Sequence, residues 1–349
     1  MHSVIGSASF SGTAVTEETA RALYREMVRA RRFDERALSL QRRGWMSGYP
    51  QFSGQEASQV GAAHALAAED WLFPTYRANA MQLVRGVSMS DILLFRRGQA
   101  TLSESDIRDF PQAVPIATQI PHAVGAAMAA DYRNADHAVC AYFGDGATSE
   151  GDFHEGLNFA GVFDAPVVFF CENNGWAISL PTQQQTASAT LAQKAEAYGF
   201  EGVRVDGNDP IAVRQVVTDA LERARAGEPV MVESLTYRRG AHTTSDDPSR
   251  YEHRQTDLPD WRTRDPLDRY EEWLRDAGLL DDDQVRRVEA EITAELEAAV
   301  ETAEEEQRPD PGAMFERVYA ELTPPLNDQR AQLRAFLDEH GHPDPVNES

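Results

Sequence analysis

Two apolar runs, each ending in a short polar signature, constrain this chain more than any other feature. Ala138-Val139-Cys140-Ala141-Tyr142-Phe143 leads into Gly144-Asp145-Gly146, and Val167-Val168-Phe169-Phe170-Cys171 leads through Glu172 into Asn173-Asn174, with 26 residues between the two signatures. A helix-like stretch from Ser149 to Phe163 lies between them, so the whole reads as a βαβ unit. Ligands of open α/β sheets sit at the carboxyl ends of the strands, which places Asp145 and Asn174 side by side at such a site. Both offer hard oxygen ligands. A Mg²⁺ octahedron is met by this pair, one added backbone carbonyl and substrate phosphates. The glycines let main chain approach a diphosphate that a Cβ would push away.

The alternation of strand and helix continues on both sides. A helix is predicted from Thr16 to about Arg42, with Thr16 as its N-cap and Glu17 and Glu18 in the first turn. Gly54-Gln55-Glu56-Ala57 opens a second, alanine-rich helix, Phe73-Pro74-Thr75-Tyr76-Arg77 reads as a loop into another, and Pro121 begins a Gly/Ala-rich helix through Ala130. Val203–Gly207 and Val230–Thr236 read as strands flanking a helix from Pro210 to Arg225. The pattern predicts a parallel sheet with helices on both faces. Arg238 to about Asp265 lacks periodicity and reads as a long functional loop. An acidic helix from Asp281 carries Val285, Val288, Ile292, Leu296 and Val300 as an apolar stripe, and Pro309 and Pro311 end it before a helical tail. The expected organisation is a loose tail over 1–15, an α/β domain over 16–275 and a helical C-terminal extension over 276–349.

A formal charge of −24 argues against nucleic acid as a partner, since phosphate would be repelled over most of the surface. Lys194 is the single lysine among 33 basic residues. Such an acid-rich, lysine-poor surface is like that of halophilic proteins, which motivates the hypothesis that stability rises in molar KCl; an unfolding midpoint that ignores KCl would remove it. Cys140 and Cys171 lie inside apolar runs and give no disulfide framework, which points to a reducing, cytoplasmic setting. No apolar stretch has the length to cross a bilayer, and the first dozen residues carry no cleavable signal pattern.

The motif that begins with Gly-Asp-Gly and ends with Asn-Asn resembles that of the thiamine diphosphate enzymes. The resemblance extends through Gly144–Asp152, Cys171–Ser179, Val205-Asp-Gly-Asn-Asp209 and His242–Tyr251, and residues from about 20 to 325 follow the order of one family: the alpha subunit of the decarboxylating component of 2-oxoacid dehydrogenase complexes. Thr118-Gln119-Ile120-Pro121 and the Ser245-Asp246-Asp247 loop are similar to branched-chain and Gram-positive pyruvate dehydrogenase types. The resemblance implies a three-layer thiamine diphosphate-binding α/β fold, and oxidative decarboxylation of a branched-chain 2-oxoacid or pyruvate with acyl transfer to a lipoyl group.

It also implies roles for residues of this chain. Asp145, Asn174 and the Trp176 carbonyl would hold Mg²⁺. Gly144, Gly146 and Ala147 would present main chain to the diphosphate, where helix-end amides favour anions. Tyr76 and Arg77 match a Tyr-Arg pair whose guanidinium suits phosphate. His242 is the candidate catalytic residue, able as neutral imidazole to donate and relay a proton. Ile116 corresponds to the aliphatic prop under the bent cofactor, and Val114 stands beside it where some relatives have serine. Pro115, Thr118 and Gln119 resemble a potassium loop, although Ala113 replaces a serine ligand. Thr243 occupies the position of a regulatory phosphoserine in animal relatives, and no phosphorylation is inferred for it. The carboxylate that polarises the cofactor's aminopyrimidine belongs, in the family, to a separate beta subunit, so a shared site in an α2β2 assembly docked on a lipoylated acyltransferase core is expected. Acetoin dehydrogenase has the same architecture and is one alternative; a non-catalytic cofactor-binding scaffold is another. A Mg-nucleotide protein is disfavoured by the lack of a Gly-Lys-Ser/Thr loop.

Overall fold

The computed structural model describes residues 1–99, 107–112, 114–254, 258–305, 310–316 and 318–341, so Ala113 and Pro309 lie outside the described residues. Its strands are β1 (Trp71–Phe73), β2 (Val139–Gly144), β3 (Val167–Asn173), β4 (Trp176–Ala177), β5 (Leu180–Pro181), β6 (Glu201–Asp206) and β7 (Val230–Leu235). Five form one parallel sheet in the order β1-β2-β3-β7-β6, while β4 and β5 make a small antiparallel hairpin. β1 is too short for its three residues to show alternation, and its place follows from pairing with the free side of β2.

The two-residue period of the strands divides the interior into two cores. Cys140, Tyr142, Val168, Phe170, Val230 and Val232 pack with the helices Glu17–Arg42, Glu56–Ala63 and Pro210–Arg225. Val139, Ala141, Phe143, Val167, Phe169, Cys171 and Met231 pack on the other face with the helices Gln119–Tyr132 and Gly151–Val162. Both faces are therefore covered, which is why β2 and β3 read as unbroken apolar runs rather than as alternating ones. The first helix begins where Thr16 accepts the Thr19 N–H at 3.2 Å, and Asp209 caps the helix at Pro210 by accepting from Ile211 and Ala212.

Contacts near both ends of the chain bear on the expected organisation. The His2 N–H donates to Arg204 O and the Asp206 N–H to His2 O, both at 2.9 Å, so His2 extends the sheet beyond β6. Val4 and Ile5 donate their N–H groups to Asp209 Oδ2 at 2.7 and 2.6 Å, and Val4 and Val15 are buried. An edge strand with unpaired main chain and a cap carboxylate with spare lone pairs supply the anchor.

The chain after 275 is also tied to the first helix. The helix Asp282–Glu305 buries Ile292, Leu296 and Val300 in the same core as the first helix, and is tied to it by Arg29–Glu295 at 2.6 Å and Arg32–Glu289 at 2.7 Å. The helices Ala313–Glu316 and Pro324–His340 that follow it bury no side chain. Ile292→Ala is expected to destabilise the whole protein by about 2–5 kcal/mol, read as a lower urea midpoint; a midpoint equal to wild type would make that helix a detachable appendage.

Candidate active site

The carboxyl ends of β2 and β3 open on a cavity of about 240 Å³. Parallel register sets Gly144 beside Glu172. Asp145 opens a tight turn reaching Ser149, Asn174 follows β3 directly, and both are buried and line this cavity. Asp145 Oδ2 accepts from Thr182 Oγ1 at 2.8 Å and from Gln185 Nε2 at 3.2 Å. Asn174 Nδ2 donates to Gln55 Oε1 at 3.0 Å, and its Oδ1 accepts the Trp176 N–H at 3.1 Å. Among the described residues no hydrogen bond joins the Asp145 and Asn174 side chains.

Burial pushes the Asp145 carboxyl above the usual carboxylate range, and hydrogen bonds from Thr182 and Gln185 offset only part of this. Its hydrogen-bond donors are neutral, so a cation would complete the charge balance of a group taken out of water. No cluster of three or more His, Cys, Asp and Glu that could hold a metal exists among the described residues. A metal here would therefore combine Asp145 with amide and main-chain oxygens, the donor set of a hard cation. A Cβ on Gly144 would meet nothing nearer than Glu172 O at 3.9 Å, leaving its main chain open to the cavity, whereas a Cβ on Gly146 would come within 2.9 Å of Ala177 Cβ. Gly146 is thus required by the β4 hairpin packed against it.

The opposite wall is cationic. Arg77 is 6% and Arg238 5% exposed, and both line the cavity with His242. Arg77 donates through Nη1 to Gln51 O and through Nη2 to His242 O at 2.8 Å; Nη2 also lies 3.2 Å from His242 Nδ1, and Arg238 Nη1 lies 3.4 Å from the same nitrogen. A guanidinium only donates, so Nδ1 must accept and the imidazole proton resides on Nε2. Burial, then Arg77 and Arg238, push His242 down to about 4, against the opposing pull of Asp246. His242 is neutral throughout the physiological range.

The loop is held in place by its own bonds. Asp246 Oδ2 accepts from the His242 N–H at 2.8 Å and from the Tyr251 hydroxyl, Arg238 Nη2 donates to Tyr251 Oη at 2.9 Å, and the Tyr251 ring lies 5.0 Å from that of Trp176. Two cavity residues, Ala117 (φ 68°) and Ile178 (φ 57°), adopt the left-handed region that a β-branched side chain strongly disfavours. Arg238 Nη2 also donates to Ile178 O at 3.0 Å, which helps to hold this strained corner.

Of the residues singled out in sequence, Tyr76, Arg77, Ile116, Gly144, Asp145, Gly146, Ala147, Asn174, Trp176 and His242 all meet at this cavity. Val114 does not: it is 63% exposed and absent from the wall. The Pro115 carbonyl accepts from Thr118 Oγ1 at 3.0 Å, and buried Gln119 donates from Nε2 to Tyr142 O at 2.8 Å while its Oε1 has no partner among the described residues. Sequence reasoning missed Arg238, Thr182, Gln185 and the buried pair Tyr142–Glu172, whose hydroxyl-to-carboxylate hydrogen bond sits on the cavity floor. An arginine three residues past β7 was the available signal. Nothing in the polar run after Trp176 marks Thr182 over its neighbours.

The family described as dehydrogenase E1 component matches residues 24–312. The chain belongs to that family. It is similar to the 3-methyl-2-oxobutanoate dehydrogenase subunit alpha of Mycobacterium tuberculosis, at 47% identity over 327 residues that cover 92% of this chain and 88% of that protein. It is also similar to the 2-oxoisovalerate dehydrogenase subunit alpha of Bacillus subtilis, at 38% identity covering 88% and 97% of the two chains. The pyruvate dehydrogenase E1 component subunit alpha of Staphylococcus aureus is 37% identical, covering 90% and 86%. This E1 chain is thus an alpha subunit of a 2-oxoacid dehydrogenase, an oxidoreductase whose family implies thiamine diphosphate and whose alpha designation implies a beta subunit. No helix among the described residues of the E1 chain is long and apolar enough to cross a membrane.

Proposed function

We propose that this chain supplies the diphosphate-and-metal half of a thiamine diphosphate site that decarboxylates a branched-chain 2-oxoacid or pyruvate. The observation that carries the reading is the buried Asp145 carboxylate, bonded only by neutral donors, sharing one cavity with Asn174 and with the Arg77–His242–Arg238 wall. Asp145, Asn174 and the Trp176 carbonyl would hold Mg²⁺. Thiamine diphosphate, when bound, supplies the electron sink for the carbanion left as carbon dioxide departs. The arginines and the Gly146-Ala147 main chain would hold the anionic tail, and Ile116, 40% exposed at the cavity, would prop the bend. His242 presents its Nε2 proton as a donor and is kept neutral by burial and then by the two guanidinium groups. Potassium at Pro115 O, Thr118 and Gln119 is supported by the unpartnered Gln119 Oε1.

A volume of about 240 Å³ falls below the roughly 300–1,000 Å³ of an ordinary small-molecule pocket. That fits a site completed by the beta subunit in an α2β2 assembly that passes its acyl group to a lipoylated acyltransferase core. The buried free thiols Cys140 and Cys171 support a reducing, cytoplasmic setting, and the acid-rich surface supports the halophilic reading.

Similarity to the mycobacterial and Bacillus branched-chain subunits favours a branched 2-oxoacid over pyruvate. The test is coexpression with the beta subunit and an artificial-acceptor assay over branched 2-oxoacids, pyruvate, 2-oxoglutarate and acetoin. The highest kcat/KM is expected for a branched 2-oxoacid; preference for acetoin would transfer the chain to acetoin dehydrogenase, and no turnover of any of them would favour the scaffold.

A further inference from the structure

Behind the loop that carries Asn174 lies a second cavity, of about 170 Å³, to which the proposed decarboxylation assigns no role. Arg262 is anchored there along one edge, Nε donating to Thr236 O at 2.8 Å and Nη2 to Asn173 O at 3.0 Å, while its Nη1 makes no hydrogen bond among the described residues. Arg204 Nε stands 3.2 Å from Glu233 Oε2 as an ion pair, but this buried nitrogen makes no hydrogen bond among the described residues. Glu233 is already satisfied: Oε1 accepts from Asn173 Nδ2 at 2.8 Å, and Oε2 accepts the N–H groups of Leu191 and Ala192 at 3.1 Å each.

Two arginines against one carboxylate leave this cavity with a net positive charge, inside a chain of net −24. A dianion would face Glu233, whereas a single carboxylate matches the excess. Leu191, Leu235 and Ala189 supply an apolar side to the same space.

We infer that the rear cavity binds a small monocarboxylate, its carboxylate shared by the Arg204 and Arg262 forks and its alkyl part lying on Leu191 and Leu235. Guanidinium forks match a planar carboxylate by geometry as well as charge. The occupant would touch the clamp of the front site from behind. Arg262 holds the carbonyl of Asn173, next to Asn174, and the wall residue Thr182 bonds Asp145.

The test is calorimetric titration of the chain, copurified with its beta subunit, with 2-methylpropanoate, which has no oxo group and cannot be decarboxylated. Binding is expected to weaken by about tenfold or more in Arg204→Gln and in Ala189→Glu, which sets a carboxylate at the exposed mouth of the cavity, and to persist in Arg77→Gln, which alters only the front site. Loss in Arg77→Gln with retention in the other two would assign the binding to the front site and overturn the inference. So would tighter binding of inorganic phosphate than of 2-methylpropanoate, or no binding of either at millimolar concentration.

Discussion

Asp145→Ala, made in the chain purified with its beta subunit, is expected to lower magnesium-dependent affinity for thiamine diphosphate by more than about 100-fold, because loss of an outer partner of a metal ligand already costs about 10–100-fold. Thr182→Val removes such a partner, the hydroxyl at 2.8 Å from Oδ2, and belongs in that 10–100-fold range. Without ligands, the Asp145→Ala protein should unfold at the same urea concentration as wild type or a higher one. The reason lies in the sign of the carboxyl's shift: burial raises its pKa, so the ionised group is a cost to the empty fold. Titration calorimetry with cofactor and Mg²⁺, beside urea unfolding, reads both. Wild-type affinity in Asp145→Ala would remove the metal clamp from this site.

His242→Ala is expected to lower turnover by about 10²–10⁴-fold, the range of a positioned proton donor, and to leave a pH signature that simple loss of packing would not. His242 binds its proton at about 4 in the fold against 6.5 as a free side chain. Between those values the unfolded chain holds more protons at this position, so its contribution to stability falls as pH drops from about 6.5 towards 4. Asp34 and Glu172, each pushed up to about 7 by burial, act in the opposite sense: their contributions fall as pH rises towards 7. Those two remain in the variant and cancel in the difference. Urea midpoints across this window should therefore slope less steeply upward with pH in His242→Ala than in wild type. Equal slopes would mean that burial and the two arginines do not hold the imidazole neutral.

The long, strongly patterned elements were legible without coordinates, because their signals are local. Thr16 caps the helix it precedes, Pro210 begins the helix expected of it, and β2 and β3 end at their polar signatures. The site was legible where it lies on those ends: Asp145, Asn174 and Trp176 belong to one βαβ unit. What stayed hidden depends on contacts between distant segments. The first residues of the chain look like a solvated tail, yet they complete an edge that only the order β7-β6 exposes. The acidic helix carries its apolar stripe in sequence, but nothing local states that the first helix receives it. Arg238 is one arginine among many until the turn after β7 brings it against His242 and Ile178.

By itself, then, the sequence determined the parallel sheet and the carboxylate and amide at the ends of its central strands, since period, caps and glycines act within a few residues. Only the tertiary structure decided the state of that pair's surroundings: which donors reach Asp145, which nitrogen of His242 carries the proton, and that two arginines remain underbonded behind Asn173. Those properties are set by desolvation and by charges brought within hydrogen-bond reach across long stretches of chain, and no local pattern encodes such distances.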